Sequence, residues 1–122
     1  MSTSEYLALL YSDDKSVRAE AAKNLAGLGS EGVTAVCPLL SSENWVLRYR
    51  ACEILGLSGC RDAALLLVPY LSDANDHVRY MAAKSIGRIG NPSFAERIRP
   101  LAADANPYVS RMANSILNNW GV

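Results

Sequence analysis

An all-α solenoid of four stacked helix pairs is the fold this sequence predicts, and three observations predict it. One helical stretch, Asp76 to Gly90, places Val78, Ala82, Ile86 and Ile89 on a single apolar face. That stretch returns in degraded form around Val17, Leu47 and Val109, in steps of 30, 31 and 31 residues. No segment shows the alternation of a strand. A fixed period of this size marks an array in which each unit buries its apolar face only against its neighbours.

The elements follow in order. Ser4 to Tyr11 reads as a short apolar helix, and Asp14 opens a second helix from about Lys15 to Leu28. Ser30 starts the next, whose apolar part is Val33 to Leu40, and Asn44 caps a helix through Leu57. A third pair begins near Asp62, with Asn75 capping its second helix. Asn91-Pro92 begins the last pair, and Asn106-Pro107 caps a final helix reaching about Trp120. Asp14, Asn44, Asn75 and Asn106 therefore form a column of residues that can accept from first-turn amides. One domain over 1–122 follows, with repeats at about 1–29, 30–59, 60–90 and 91–122.

Two further columns support the register. Pro38, Pro69 and Pro100 fall 31 residues apart within the first helix of their pairs, where each removes a ladder bond and is expected to bend the helix. Asp73 stands six residues before Arg79, a spacing that predicts an Asp–Arg tie between turn and helix. Ser12/Arg18 and Ser42/Arg48 keep the arginine, while Asp104/Ser110 keeps only the acid.

The pattern Asp-x-x-x-x-Val-Arg-x-x-Ala-Ala-x-x-Ile-Gly-x-Ile-Gly of residues 73–90 resembles the HEAT-like repeat of the phycobilisome-lyase type. The resemblance covers essentially the whole chain in four copies. It implies a right-handed superhelix, with the Val-Arg helices on the concave side and the proline-bearing helices on the convex side. Families with this repeat include scaffolds, adaptors, chromophore lyases and a few enzymes, so the resemblance specifies fold more closely than function.

Composition narrows the function. Twelve basic and twelve acidic residues cancel, so no global field recruits nucleic acid or membrane. No apolar run approaches the roughly 20 residues of a membrane span, and Met1-Ser-Thr-Ser-Glu lacks the character of a signal peptide. Cys37, Cys52 and Cys60 are odd in number and lack metal-site spacing, which points to reduced thiols and a cytoplasmic setting. His77 is the only histidine, and neither a phosphate-binding glycine loop nor a nucleophilic constellation is present. No cofactor, metal or catalytic role is expected.

What remains is a stripe on the second helix of each pair that varies between copies while its neighbours hold constant. Its members include Tyr49, Arg50 and Glu53, then His77, Tyr80, Met81, Lys84 and Arg88, then Tyr108, Arg111 and Met112, with Trp45 at the edge and expected to be partly structural. Tyrosine, tryptophan, methionine and arginine are enriched where proteins meet proteins. The expected function is a non-catalytic scaffold that binds another protein through this face. Two readings stand beside it: a chromophore-lyase-like protein that shelters a tetrapyrrole, and a nucleic-acid-binding module. Both have a weaker case than the scaffold: Glu20 and Glu53 interrupt the basic stripe, and four repeats form a short array beside the longer, paired chains of such lyases. Trp120, near the end, would lie bare unless it caps the last pair or meets a second copy in a homodimer.

Overall fold

A computed structural model describes all residues from Met1 to Val122. Eight α-helices lie in four antiparallel pairs: α1 (Thr3–Leu9) with α2 (Lys15–Gly27), α3 (Ser30–Val36) with α4 (Trp45–Ser58), α5 (Ala63–Leu67) with α6 (Asp76–Ile89), and α7 (Ala95–Ile98) with α8 (Pro107–Trp120). The chain is an α-solenoid with no strand. Along the array α2 packs on α4, α4 on α6 and α6 on α8, whereas the odd-numbered helices touch one another less. The even-numbered helices thus form the inner layer.

Each even-numbered helix begins by the same local chemistry, and three of the four end by the same one. Asp14, Asn44, Asn75 and Asn106 sit in extended backbone, and their side chains accept from the amides of Ser16, Val46, His77 and Tyr108. Each accepted bond satisfies a donor that the helix cannot. At the far ends of α4, α6 and α8, Gly59, Gly90 and Gly121 cap in the left-handed conformation, with φ between 69° and 81°, where a side chain is strained; α2 ends instead at Leu28 in helical backbone, and Gly29, at φ 61° and ψ −129°, opens α3. The caps are spaced by the repeat because the turns they build must recur in every unit.

The prolines act by tightening the chain rather than by bending a continuous helix. At Pro38, Pro69 and Pro100 the α-helical turn gives way to 3-10 segments, Cys37–Ser41, Val68–Ser72 and Arg99–Ala103. Each proline stands in the first turn of its segment, where a missing amide donor leaves nothing unpaired. The odd-numbered helices are correspondingly short. A further 3-10 turn, Pro92–Phe94, precedes α7, with Asn91 accepting from Ser93. In α1 the cap is Ser2, which exchanges bonds with Glu5.

One core runs the length of the array. Leu25, Leu55, Ile86 and Leu117 occupy equivalent positions and are almost wholly buried, as are Ala21, Ala51, Ala82 and Ala113. Small residues set the spacing of α4 and α6. A Cβ at Gly56 would run into the side chain of Ser85, whose buried hydroxyl donates to the carbonyl of Cys52 at 2.7 Å. Cys52 is packing material; burial pushes its thiol up to about 12. Cys60 is half-buried against the core instead of freely exposed.

The Asp–Arg column joins different units from those its spacing suggests. Arg79 donates to the main-chain oxygen of Asp73 at 2.8 Å, and the Asp73 carboxylate belongs to the previous unit's Arg48. Arg48 reaches both carboxylate oxygens at 2.9 Å while its third nitrogen donates to Ser42 O. Arg79 repeats the pattern on Asp104, at 2.9 and 3.2 Å. Arg18 has only Ser12 O, because Ser42 stands where the next carboxylate would be. The lone acid at Asp104 is thereby accounted for: it serves Arg79.

Candidate functional site

Most of the variable stripe gathers on the inner face, in clefts between successive even-numbered helices. At the helix starts, Tyr49 of α4, His77 and Tyr80 of α6 and Tyr108 of α8 line a cleft of about 270 Å³, with Asp76 and Asn106 completing it. The caps place these side chains, since each lies within the first two turns after Asn44, Asn75 or Asn106. Asn106 donates its side-chain amide to Asp76 at 2.6 Å, linking the floor of the cleft across two units.

The aromatic rings form an ordered set. Trp45 stacks on His77 with centroids 5.0 Å apart and meets Tyr49 edge-on at 6.5 Å. Three rings carry a cation over one face: Arg50 over Tyr49 at 5.5 Å, Lys84 over Tyr80 at 5.9 Å, and Arg111 over Tyr108 at 5.0 Å. Such contacts hold ring and cation in place together. Burial raises the Tyr49 phenol pKa, the Glu53 carboxylate adds to the effect, and Arg50 opposes it.

A second cleft lies further along the helices. It is lined by Lys23, Arg50, Glu53, Met81, Lys84 and Arg88, with Ala19, Ala22 and Leu57 as its apolar part. Arg50 donates to Glu53 at 3.0 Å, and its Nε is buried with no acceptor. A third hollow, between α6 and α8, is lined in part by Lys84, Arg88, Met112 and Trp120.

Two expected placements change. Met81 is only 4% exposed and belongs to the core, so it contributes at most a patch of cleft floor, not a projecting contact. Its helix is flanked by α4 and α8, and the long flexible side chain fills the space between them. Trp120 folds against the core instead of standing bare, which removes the ground for expecting a homodimer at that end. Asp76 and Asn106 are the cleft residues that the sequence reading did not assign to the face. The available signal was variation: Asp76 shares its column with Lys15, Trp45 and Pro107.

No group of three His, Cys, Asp or Glu side chains converges, and His77 is exposed beside Asp76 at 3.9 Å. No helix is long and apolar enough to cross a membrane.

Comparison with known proteins agrees with this architecture. No curated protein matches the chain in sequence. Human deoxyhypusine hydroxylase, solved in complex with glycerol, is similar over 98% of this chain and 43% of its own, with a TM-score of 0.78 and 20% identity. An engineered protein is similar over 98% of this chain and 63% of its own, with a TM-score of 0.64 and 21% identity. The complex of CpcE and CpcF of phycocyanin lyase from Nostoc sp. PCC7120 gives a TM-score of 0.58 at 21% identity, over 98% of this chain and 65% of that chain. The chain therefore spans 43–65% of the length of these structures, and at such identities the likeness carries the fold alone. A sequence profile for HEAT repeats matches residues 33–118, most of the chain, and the chain belongs to that family.

Proposed function

We propose that this HEAT-repeat chain is a non-catalytic interaction module that holds a protein partner against the inner face of its even-numbered helices. The observation that carries the reading is the convergence of Tyr49, Tyr80 and Tyr108, from three successive units, on one cleft. The core does not need all of them: Tyr108 is 67% exposed, and Trp45 beside them is 38% exposed. Aromatic side chains give large contact area for few frozen torsions, and a preformed surface loses little entropy on binding. Trp45, Tyr49, Arg50, Glu53, His77, Tyr80, Lys84, Arg88, Tyr108, Arg111 and Met112 are the contact candidates. The three free thiols suit a cytoplasmic setting.

The test is capture of a partner by the wild type and by Tyr80→Ala with Tyr108→Ala. Each tyrosine at the centre of such a contact is worth about 2 kcal/mol, so the double variant should lose the partner while keeping its helical circular dichroism. A partner retained equally by both forms would remove this face from the interaction. Co-purification of a coloured tetrapyrrole or of nucleic acid, lost in the variant, would transfer the cleft to one of the other two readings.

A further inference from the structure

The two clefts of the inner face differ in chemistry. The cleft at the helix starts is aromatic, whereas the one further along is cationic. Lys23 from α2, Arg50 from α4, and Lys84 and Arg88 from α6 line it against a single carboxylate, Glu53. This concentration occurs in a chain whose charges cancel overall. Glu53 is already engaged by Arg50, and no ion pair within the chain involves Lys23, Lys84 or Arg88. Three cations from two helices thus face the same space with no carboxylate of their own.

We propose that the inner face takes an extended acidic segment of a protein partner, its carboxylates on these cations and an apolar or aromatic side chain seated among the tyrosines. This specifies the occupant of the face and rests on the protein-binding reading above. Charge complementarity selects the acidic segment. Nucleic acid is disfavoured because its phosphates recur at every nucleotide and would have to cross Asp76 in the aromatic cleft, whereas a peptide can confine its carboxylates to the cationic one. In the aromatic cleft, Asp76 can accept from a peptide amide.

The geometry also fixes a spacing. Tyr80 is four residues from Lys84 and eight from Arg88 on one helix, which is roughly 6–12 Å at about 1.5 Å per residue. An extended peptide advances about 3.3 Å per residue, so anchor and acid stand roughly two to four residues apart.

The test uses three labelled synthetic peptides read by fluorescence anisotropy at low salt. These are Trp-Gly-Gly-Glu-Glu-Glu, its Lys-Lys-Lys counterpart, and the acidic peptide with Ala for Trp. The acidic tryptophan peptide should bind about tenfold or more tightly than either of the others, with binding weakened by salt. Lys84→Glu with Arg88→Glu should cost about tenfold, and Lys23→Glu, on a different helix, severalfold. If the reversal disturbs the fold, Lys84→Gln with Arg88→Gln should show the same direction. Equal binding of acidic and basic peptides overturns the proposal. So does tighter binding of a single-stranded oligonucleotide of equal charge.

Partner capture separates this proposal from the one beneath it. A partner lost with Tyr80→Ala/Tyr108→Ala but held by the charge-reversed form would overturn the acidic segment and leave the interaction face standing. A partner held by both forms would overturn both.

Discussion

The joint between the first and second units and the two joints that follow it are built on one plan with one part exchanged. At every joint the turn residue accepts the amide two positions on: Ser42 from Asn44, Asp73 from Asn75, Asp104 from Asn106. Serine makes the same local bond, at 3.1 Å against 2.9 Å for aspartate. Only aspartate has a second oxygen with which to receive the previous unit's arginine. Arg48 and Arg79 are therefore clamped across their joints, while Arg18 is not. The apolar column follows suit, with Val78 and Val109 fully buried and Val17 and Leu47 only partly so. A residue chosen for a local turn thus decides whether neighbouring units are tied.

The largest expected effect comes from untying a clamped joint. Asp73→Ala leaves Arg48, whose side chain is 17% exposed, without its carboxylate and should cost about 2–3 kcal/mol in chemical denaturation. Ser42→Ala at the unclamped joint should cost less than about 0.5 kcal/mol. Equal losses at the two positions would show that the turn bond, common to both, matters and the clamp does not.

A smaller effect is expected from supplying the missing part. Ser42→Asp keeps an acceptor for Asn44 and offers Arg18 a partner. It should raise stability by about 0.5–1 kcal/mol, and Arg18→Ala should abolish the gain. A gain that survives Arg18→Ala would have another origin.

The smallest effect is the dependence on pH. Burial alone would raise Asp73, but the bonds from Arg48 and the Asn75 amide outweigh it and hold its pKa below the ordinary carboxylate value. The Arg79 guanidinium does the same for Asp104. A depressed folded pKa gives stability that is complete above the unfolded value of about 3.9 and is lost as pH falls through the folded one. Thermal midpoints should therefore be level near neutrality and drop below about pH 4, less steeply in Asp73→Asn than in the wild type.

The cap column and the apolar face of the even-numbered helices were legible in the sequence because each is a local requirement repeated by every unit. The partner of Arg79 was not. Asp73 lies 6 residues before it and Asp104 25 residues after it, and both offsets recur with the repeat, so spacing alone cannot choose between them. Met81 misled for a related reason. Its column is Glu20, Arg50, Met81 and Met112, a surface sequence by periodicity. Packing from both sides narrows the exposed stripe of α6, a property of the stacked array and not of the helix. Asp76 was passed over because, next to a cap, an acidic residue already has a sufficient local reason to be there.

The clamps also divide the inner face. The tyrosine cleft is built wholly on α4, α6 and α8, the helices whose units Arg48 and Arg79 tie together. The cationic cleft takes Lys23 from α2, across the joint that Arg18 leaves open. One half of the groove is thus cross-linked between units by ion pairs, and the other spans a joint held by helix packing alone. Amide hydrogen exchange should accordingly be faster in α2 than in α6. An occupant of the whole face would therefore lie across both kinds of joint, its acidic end on the one that no ion pair spans.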